Sequence, residues 1–483
     1  MKILLSSSPA QFYHSTGYFF SNVPPLNLAQ LAAMVIDENT VRIMPNQKLQ
    51  LKPYHIMSYL KKFQPDLVGF TNNVNADCFP IIEMAIKIKD LYPDLPLVVG
   101  GQFPSYYYKL FLKNGFDFVV RGEGEYTLKE LINHLNNSSS SPSKIDGLAY
   151  IENGEIRVTK EREFVKDLDI LPFPARELLP KCKPIFTSEK GFATAIEMGR
   201  GCPFKCNFCS ITGYWKGTFR PKSNERILEE FKLIGDQFDC VEFTVIDDSF
   251  GIRYMQSKIL MKKIIENFDF KWACQIRTDT VVKHPDLIQL ARKAGLCLAL
   301  LGYESYMQDT LDFVSKGTTV DMNRTASEIL RKNDIIVFGA HIFGHPKQDW
   351  TELNKILKFA LKYVDLFGLE MYQPFAHSRL HQDLVKKNRL AYTLQNSRFA
   401  FNDYIIADGR NPKLIKKYFG LTHIKYLLNF KSISLALYSR NQLLPKMKRR
   451  HYRAVINSKL TELLQNLKRK FEKPVDIQMD YTV

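Results

Sequence analysis

Short apolar runs alternate with amphipathic stretches through the first part of the chain. The apolar runs are KILLSS, VRIM, DLVGFT, PLVVGG and FDFVV, and helical patterns such as Phe79 to Leu91 and Tyr126 to Leu135 follow them. Such runs predict buried strands, and strands that alternate with helices predict a parallel sheet covered on both faces. We therefore expect a doubly wound, Rossmann-like α/β domain over residues 1–145, with ligands bound beyond the carboxyl ends of its strands.

A hairpin and a linker are expected over residues 146–190. The run GLAYIENGEIRV contains Asn153-Gly154, and an Asn-Gly pair suits the type I′ turn of a hairpin. The stretch after Lys160 contains LPFPAR and predicts a linker that leads into the next domain.

A second alternation begins at Ala193. Its apolar runs are ATAIEMGR, CVEFTVIDD, KWACQIRTD, LCLALLGYES, IIVFGAHIFG and LFGLEMYQPF, and helical patterns separate them. Six strand–helix units in a row predict a partial (β/α)6 barrel, which we place at residues 191–385. Catalytic groups of such barrels lie at the carboxyl ends of the strands. The side chains at those positions are Asp247, Asp248, Arg277, Asp279, Glu304, His341, His345 and Gln373.

The chain beyond residue 385 lacks this alternation, so we expect a mainly helical, basic region over residues 386–483. The net charge of the whole chain is +17, and the segment 410–473 alone holds 17 Lys and Arg against two Glu, or 17 − 2 = +15. An apolar stripe within it (Leu460, Leu463, Leu464, Leu467, Phe471) predicts a helix docked on its own protein or, alternatively, on a membrane surface or nucleic acid. A localised basic segment favours an anionic partner such as a phospholipid surface.

The amino terminus has no signal-peptide pattern, and no apolar run approaches the ~18 residues of a membrane span. We expect a cytoplasmic protein, with peripheral membrane attachment through the basic region as an option. Thiols stay reduced in that compartment, so closely spaced cysteines predict metal or cluster ligands there.

Three of the eight cysteines fall within eight residues, in GRGCPFKCNFCSITGYW. A closed structural zinc site needs four ligands, but no cysteine or histidine occurs between Cys209 and Cys240. Three thiolates on one loop instead predict a 4Fe-4S cluster with one iron left open to another molecule. The predicted ligands are Cys202, Cys206 and Cys209.

This motif, with Phe208 before its last cysteine, resembles the radical S-adenosylmethionine superfamily, and VIDDSF, QIRTD, LLGYES and GAHIFGHP follow in the expected order. The resemblance implies that S-adenosylmethionine occupies the open iron and that an electron from the cluster cleaves it to a 5′-deoxyadenosyl radical. An electron donor such as flavodoxin or ferredoxin is implied as well. Phe208 and Gly344 would then lie near the adenine of S-adenosylmethionine. The candidates for contacts with its amino-acid and ribose parts are Asp247, Arg277 and Glu304. The alternative role of these charged residues is a surface or interstrand ion pair.

The N-terminal runs VPPLNLAQLAA, LVGFTNN, VVGGQFPS and FDFVVRGEGEYTLKEL resemble the cobalamin-binding domain that is fused to one large subgroup of these enzymes. The resemblance implies cobalamin-binding roles for Thr71, Asn72, Gly100, Gly101, Gly122, Glu123, Gly124 and Glu125. Asn27 and Phe103 stand where the subgroup often has Gly and His. Classical cobalamin domains supply a lower cobalt ligand from an Asp-x-His-x-x-Gly signature, of which this chain has only Phe12-Tyr-His14-Ser-Thr-Gly17. Because Phe12 replaces the carboxylate that would orient His14, we expect cobalamin without a histidine ligand, with ligation by His14 as the alternative.

Together the two resemblances imply a cobalamin-dependent radical methyltransferase that acts on an unactivated carbon. One alternative keeps both cofactors but closes a ring, rearranges or oxidises its substrate. A cobalamin or redox sensor that binds nucleic acid is a remote alternative, and nucleic acid is not an expected partner. The methylthio-transfer family is disfavoured because it expects three further cysteines in the N-terminal domain, which here has only Cys78.

The substrate is expected to be a small molecule or a lipid. The sixth strand of the family often ends in Pro-aromatic-Pro-Gly-Thr, but Pro374-Phe-Ala-His-Ser378 stands there in this chain. Three aromatic residues follow the cysteine loop and either floor a hydrophobic pocket or serve as packing: Tyr214, Trp215 and Phe219.

Overall fold

The computed structural model describes most of the chain up to residue 387 and short pieces beyond it. The described residues are 1–7, 23–44, 53–73, 78–136, 141–187, 190–344, 348, 350–372, 375–387, 390–391, 406–407 and pieces between 421 and 452. They divide into two compact units, one built mainly on Pro24–Pro180 and the other beginning at Lys181. The domain boundaries expected from the sequence stay predictions.

The first unit contains a seven-stranded sheet. Its strands are β1 (Lys2–Ser7), β2 (Thr40–Met44), β3 (Leu67–Thr71), β4 (Leu97–Gly100), β5 (Phe118–Val120), β6 (Leu148–Glu152) and β7 (Glu155–Val158), in the order β2-β1-β3-β4-β5-β6-β7. β1 to β5 are parallel, and β6 and β7 continue the sheet in antiparallel pairing. Asn153 and Gly154 join them with positive φ angles of 53° and 79°, as a type I′ turn requires.

Helices connect the parallel strands. They are α1 (Leu26–Ala33), α2 (Pro53–Phe63), α3 (Cys78–Leu91), α4 (Gln102–Tyr106), α5 (Tyr108–Leu112) and α6 (Gly124–Asn136). Leu28 of α1 and Leu131 of α6 pack on one face of the sheet with Leu5 and Val98. The order 2-1-3-4-5 of the parallel strands is that of a doubly wound fold, so the expected Rossmann-like domain is confirmed.

The second unit is built on a six-stranded, wholly parallel sheet. Its strands are β8 (Phe192–Ile196), β11 (Cys240–Val245), β12 (Lys271–Ile276), β13 (Leu296–Glu304), β14 (Ile336–Phe343) and β15 (Leu366–Met371), and they neighbour one another in chain order. Two short strands, β9 (Gly199–Gly201) and β10 (Phe219–Pro221), form an antiparallel pair of their own. The expected partial (β/α)6 barrel is therefore confirmed.

The helices of this unit are α7 (Ser210–Tyr214), α8 (Asn224–Gln237), α9 (Tyr254–Asn267), α10 (Thr278–Lys283), α11 (Pro285–Lys293), α12 (Gln308–Phe313), α13 (Val320–Lys332), α14 (Trp350–Tyr363) and α15 (Arg379–Lys386). Further along the chain, the two-residue strands Leu390–Ala391 and Ile406–Ala407 pair in antiparallel orientation. Alternate strand residues face opposite layers: Trp272 and Leu301 pack beneath the outer helices, whereas Ala273 and Leu300 face the inner side.

A piece of the basic C-terminal region is buried against that inner side. Residues 443–449 are helical, and Leu444 and Met447 pack with Ile185 and Phe186 on the amino-terminal halves of the strands. Lys448 is itself buried, and its Nζ donates to Ser432 Oγ at 3.1 Å. Part of the basic region is thus integral to the barrel unit, while the apolar stripe around Leu464 lies outside the described residues.

Candidate functional site

The cysteine loop leaves a tight crossing of two strands at the edge of the barrel unit. Gly201, the last residue of β9, has φ +93°, and a Cβ there would lie 2.2 Å from the carbonyl oxygen of Thr218. Only glycine fits this crossing, because any side chain would strike backbone. The loop then runs from Cys202 to Cys209, where α7 begins.

Two other segments of the barrel unit hold the far side of the loop. Asn207 donates its amide N–H to Val314 O at 3.1 Å and its side-chain amide to Phe313 O at 2.7 Å, and its own carbonyl accepts from Leu380 N at 2.9 Å. The three bonds tie the loop to the helix after β13 and to the start of α15. Backbone bonds of this kind fix the position of a loop before any ligand binds.

The three cysteines of the loop are free thiols, and Cys206 is buried. Burial raises the pKa of Cys209 to about 12, and burial likewise raises the pKa of Cys202. In the described part of the chain no three ligand side chains converge as they would on a single metal ion. A cluster instead binds each thiolate through a different iron, so three neighbouring free thiols on one loop fit a 4Fe-4S cluster.

Arg277, at the end of β12, meets the cysteine loop. Its guanidinium carbon lies 3.6 Å from the ring centroid of Phe204, and its Nη1 donates to Cys206 Sγ at 3.8 Å. Asp279 accepts a hydrogen bond from Arg277 Nε at 2.9 Å. Arg277, Asp279 and Cys206 are all buried. The structure therefore brings one predicted cofactor residue, Arg277, against a predicted cluster ligand.

Glu304 and Lys316 form a buried ion pair beside this group. Lys316 Nζ lies 2.6 Å from Glu304 Oε1, and the carbonyl of Lys316 accepts from Arg277 Nη2 at 2.9 Å. Glu304 ends β13 with φ +59°, a left-handed conformation that is strained for a residue with a side chain. Lys316 was not among the residues predicted from the sequence, because its partner Glu304 lies twelve residues away and no local pattern marks the pair.

Asp247 and Asp248 hold the backbone that leads into the cysteine loop. Asp247 Oδ1 accepts from Met198 N at 2.7 Å, and Asp248 Oδ2 accepts from Gly201 N at 3.2 Å. Burial raises the pKa of Asp247 to about 8 and that of Asp248 to about 6. Both carboxyl groups thus act on the strand ends next to Cys202, and the cofactor contact expected for Asp247 stays a prediction.

The residues predicted to lie near adenine, Phe208 and Gly344, both have contacts within the barrel unit. Phe208 packs against a small apolar cluster that includes Val314, Ile342 and Tyr372. Gly344 has φ +109° and donates its N–H to Gln348 Oε1 at 2.7 Å. Their adenine contacts stay predictions.

The other sequence candidates of this unit have outcomes of different kinds. His341 is fully buried among the rings of Tyr303, Phe359 and Phe367, so it packs between strands and outer helices. The Tyr214 ring lies 4.8 Å from Trp215 and 5.4 Å from His377, which is compatible with packing or with a pocket floor. His345 and the Gln373-Pro374 turn lie outside the described residues.

In the first unit, the candidate cobalamin residues meet at the carboxyl ends of β3 and β4. Thr71 is the register partner of Gly100, and Asn72 N donates to Gly100 O at 2.9 Å. Gly101 has φ +113°, and a Cβ there would lie 2.2 Å from Asn72 O, so only glycine fits. Ser105 joins this edge to β5, because its Oγ accepts from Gly122 N at 3.0 Å.

The side chain of Asn72 is 1% exposed, yet neither of its amide atoms has a hydrogen-bond partner in the described part of the chain. A buried carboxamide is normally paired, so two orphaned polar atoms indicate a ligand that supplies the partners. Gly122, at φ +78°, has open space where a Cβ would be. These observations fit a polar ligand at the strand ends, as a nucleotide tail would be.

The remaining positions expected around cobalamin have structural contacts in the first unit. Glu123 accepts from Val165 N at 2.7 Å, and Gly124 sits where a Cβ would be 3.2 Å from Leu31 Cδ2. Glu125 is buried in the first turn of α6, where the helix dipole favours a carboxylate. Phe103 belongs to an aromatic cluster, and His14 lies outside the described residues.

Fold and site together define a Rossmann-like unit with a polar site at its strand ends and a barrel unit with a three-cysteine loop. Two family models match the chain: the B12 binding domain over residues 16–132 and the Radical SAM superfamily over residues 196–360. The chain therefore contains a B12-binding domain followed by a domain of the radical S-adenosylmethionine superfamily. It is an enzyme of that class, as the sequence predicted.

Relatives cover most of the chain. An uncharacterized methyltransferase of Pyrococcus horikoshii is 29% identical over 96% of this chain and 98% of its own length. The anaerobic magnesium-protoporphyrin IX monomethyl ester cyclase of Rubrivivax gelatinosus is 28% identical over 78% of this chain and 69% of its own length. The solved structure of the cobalamin-dependent S-adenosylmethionine radical enzyme OxsB, with aqua-cobalamin and S-adenosylmethionine bound, has a TM-score of 0.67 at 16% identity and covers 100% of this chain and 77% of that one.

Among the described residues, no helix is long and apolar enough to cross a membrane.

Proposed function

We propose that the protein is a cobalamin-dependent radical S-adenosylmethionine methyltransferase that methylates an unactivated carbon of a small molecule. Its cofactors are cobalamin, a 4Fe-4S cluster and S-adenosylmethionine. The observation that carries the proposal is the presence in one chain of a fixed loop with three free thiols and a glycine-lined strand edge with the orphaned amide of Asn72. The methyltransferase of Pyrococcus horikoshii, which matches the chain nearly end to end, supports it.

When bound, these cofactors supply a carbon radical on the substrate and a methyl group to combine with it, with S-adenosylhomocysteine and 5′-deoxyadenosine as by-products. The chain's own residues bind and orient. Cys202, Cys206 and Cys209 hold the cluster on a loop that is fixed through Asn207. The strand edge between Thr71 and Gly122 receives the polar tail of cobalamin.

The buried pair of Glu304 and Lys316 suits the zwitterionic amino-acid end of S-adenosylmethionine. The Glu304 carboxylate and the Lys316 ammonium lie 2.6 Å apart. When a zwitterionic ligand binds, its ammonium can pair with Glu304 and its carboxylate with Lys316, so no buried charge is left unpaired. Glu304 keeps the role expected from the sequence, and Lys316 is the added partner. A low-potential donor such as flavodoxin or ferredoxin supplies the electrons.

A second candidate function keeps the same cofactors and forms a ring instead of a C–CH3 bond. The cyclase of Rubrivivax gelatinosus favours it, since that relative matches 78% of the chain. The two functions differ in whether the methyl group of S-adenosylmethionine leaves as a product. S-adenosylhomocysteine forms in the first and is not required in the second.

The proposal is tested on the full chain, purified without oxygen and reconstituted with iron, sulfide and hydroxocobalamin. We expect about four irons per chain in wild type, loss of that iron in the Cys202, Cys206 and Cys209 triple alanine variant, and cobalamin in both. With reductant and S-adenosylmethionine, wild type should form both S-adenosylhomocysteine and 5′-deoxyadenosine. A protein that binds the cluster but no cobalamin would overturn the methyltransferase proposal.

The cytoplasmic location and the anionic membrane surface stay predictions. Most of the basic region lies outside the described residues, and two of its lysines make internal contacts: Lys446 Nζ donates to Thr187 O at 2.9 Å, and Lys448 is buried. Sedimentation with anionic vesicles, with and without residues 453–483, tests the surface, because this truncation leaves the buried helix 443–449 in place. Equal binding by the two forms would remove it.

A further inference from the structure

The guanidinium of Arg277 is fixed at each of its three nitrogens. Nε donates to Asp279 Oδ1 at 2.9 Å, Nη2 donates to Lys316 O at 2.9 Å, and Nη1 donates to Cys206 Sγ at 3.8 Å. The Phe204 ring, two residues after Cys202, covers one face of the fork at 3.6 Å. A fork held in this way does not reorient toward a ligand, and it presents a positive charge to a thiol of the cysteine loop.

Burial makes this charge effective. Arg277 is 6% exposed and Cys206 is 9% exposed, so little water screens the contact between them. Asp279 is equally buried, and its carboxylate offsets part of the positive charge. The exposed side chain of Lys283 reaches Asp279 Oδ2 only at 3.9 Å and adds little.

A reduced cluster carries one more negative charge than an oxidised one, and hydrogen bonds to its sulfurs and nearby charges set its reduction potential. A buried cation that donates an N–H to a ligand sulfur stabilises the reduced form. A buried anion beside that cation has the opposite effect.

We propose that Arg277 is a positioning residue for Cys206 that raises the reduction potential of the cluster, and that Asp279 holds Arg277 in place while partly offsetting its charge. This inference rests on the proposed cluster ligands. It gives Arg277 a role different from the amino-acid or ribose contact that the resemblance implies.

Two variants should shift the reduction potential in opposite directions, which a general loss of structure would not do. Arg277→Gln retains hydrogen-bond donors but removes the charge, so the potential should fall. Asp279→Asn retains an acceptor for Arg277 but removes the offsetting charge, so the potential should rise. Arg277→Lys keeps a charge without the fork and should fall between wild type and Arg277→Gln.

The matched controls are Arg292→Gln and Asp334→Asn. These residues form an Arg–Asp pair of similar length, 3.0 Å, in the same unit, with side chains that are 35% and 58% exposed. Neither variant should move the potential, because the pair is solvent-screened and joins α11 to the turn before β14.

The experiment is a redox titration of the reconstituted full chain, followed by electron paramagnetic resonance, with iron and sulfide measured on each variant. We expect a tenfold change in the reduction equilibrium for each charge removed, which is about 59 mV for a one-electron couple. Shifts of the same sign in Arg277→Gln and Asp279→Asn, or potentials equal to wild type, would overturn the inference. If Arg277→Gln loses its iron, Arg277→Lys and Asp279→Asn decide. A wild-type protein without a cluster would instead overturn the proposed function.

Discussion

Lys316 and Glu304 form an ion pair of 2.6 Å in which each side chain is only 8% exposed. The two residues come from the turn after α12 and from the last position of β13, which is left-handed. The pair also connects two predicted features, because the carbonyl of Lys316 holds Arg277, which in turn contacts Cys206. Glu304 and Arg277, two of the residues expected to bind S-adenosylmethionine, are thus connected to the cysteine loop by one series of hydrogen bonds.

Removing one partner of this pair should be costly. Lys316→Met leaves Glu304 buried without its cation, and a broken buried pair typically lowers the free energy of unfolding by about 3–5 kcal/mol. The double variant Glu304→Gln/Lys316→Met should recover most of that loss. Denaturant unfolding of wild type, Lys316→Met, Glu304→Gln and the double variant measures the loss. A double variant no more stable than Lys316→Met would show that the buried charge of Glu304 is not its cause. Equilibrium dialysis should show weaker S-adenosylmethionine binding in Lys316→Met and in the double variant than in wild type.

The position of α7 depends on a glycine. A Cβ at Gly213 would lie 1.7 Å from His377 O, so Gly213→Ala must push α7 and the cysteine loop away from the segment before α15. We expect reduced iron after reconstitution. Gly235→Ala is the matched control, since a Cβ there meets nothing within 4 Å, and inside α8 it should stabilise the protein by up to about 1 kcal/mol. Equal iron content in the two variants would show that α7 does not position the loop.

Asn72 should matter to the ligand and not to the fold. Its amide atoms have no partner among the described residues, so Asn72→Leu loses no hydrogen bond and should leave cofactor-free stability unchanged or higher. Cobalamin affinity should fall about tenfold, the effect of one lost polar contact of about 1.4 kcal/mol. Absorbance titration with hydroxocobalamin measures the affinity. A destabilised variant with unchanged affinity would assign Asn72 to the fold.

The barrel unit should lose stability in mild acid through His341. Burial lowers the pKa of His341 to about 4, whereas an unfolded histidine titrates near its ordinary value of about 6.5. The contribution of neutral His341 to the free energy of unfolding is fully present above pH ~6.5 and is lost as the pH falls from there toward 4. The loss amounts to about 1.4 kcal/mol at pH 5.5. The loss should be smaller in His341→Gln. Tryptophan fluorescence reports on this unit, because Trp215, Trp272 and Trp350 all lie in it; equal acid sensitivity of wild type and variant would exclude His341.

The parallel strands of the two sheets could be predicted from the sequence because most of them are buried on both faces. Such strands must be nearly continuous apolar runs, and LCLALLGYES and IIVFGAHIFG are visible as such. The turn at Asn153-Gly154 was equally visible, because few other pairs adopt two positive φ angles at low cost. That β6 pairs with Phe118–Val120 was not predictable, since a hairpin carries no local signal of the edge it joins.

The parts of the site that escaped prediction are charges whose partners are distant in sequence. Lys316-Gly317 looks like an ordinary exposed turn until Glu304 is placed beside it. Lys448 stands within a run of basic residues, yet Ser432 and Tyr426 bury it. Burial of a charge depends on tertiary contacts, and the residue type alone predicts the surface.

In the proposed function, one chain joins radical generation to methyl transfer through cobalamin. The most direct measurement is an incubation of reduced, reconstituted protein with S-adenosylmethionine carrying a deuterated methyl group, followed by mass analysis of the protein-bound cobalamin and of the adenosyl products. We expect a deuterated methyl group on cobalamin and formation of both S-adenosylhomocysteine and 5′-deoxyadenosine. The triple cysteine variant should form no 5′-deoxyadenosine. 5′-Deoxyadenosine formed without labelled cobalamin or S-adenosylhomocysteine would contradict the proposed function.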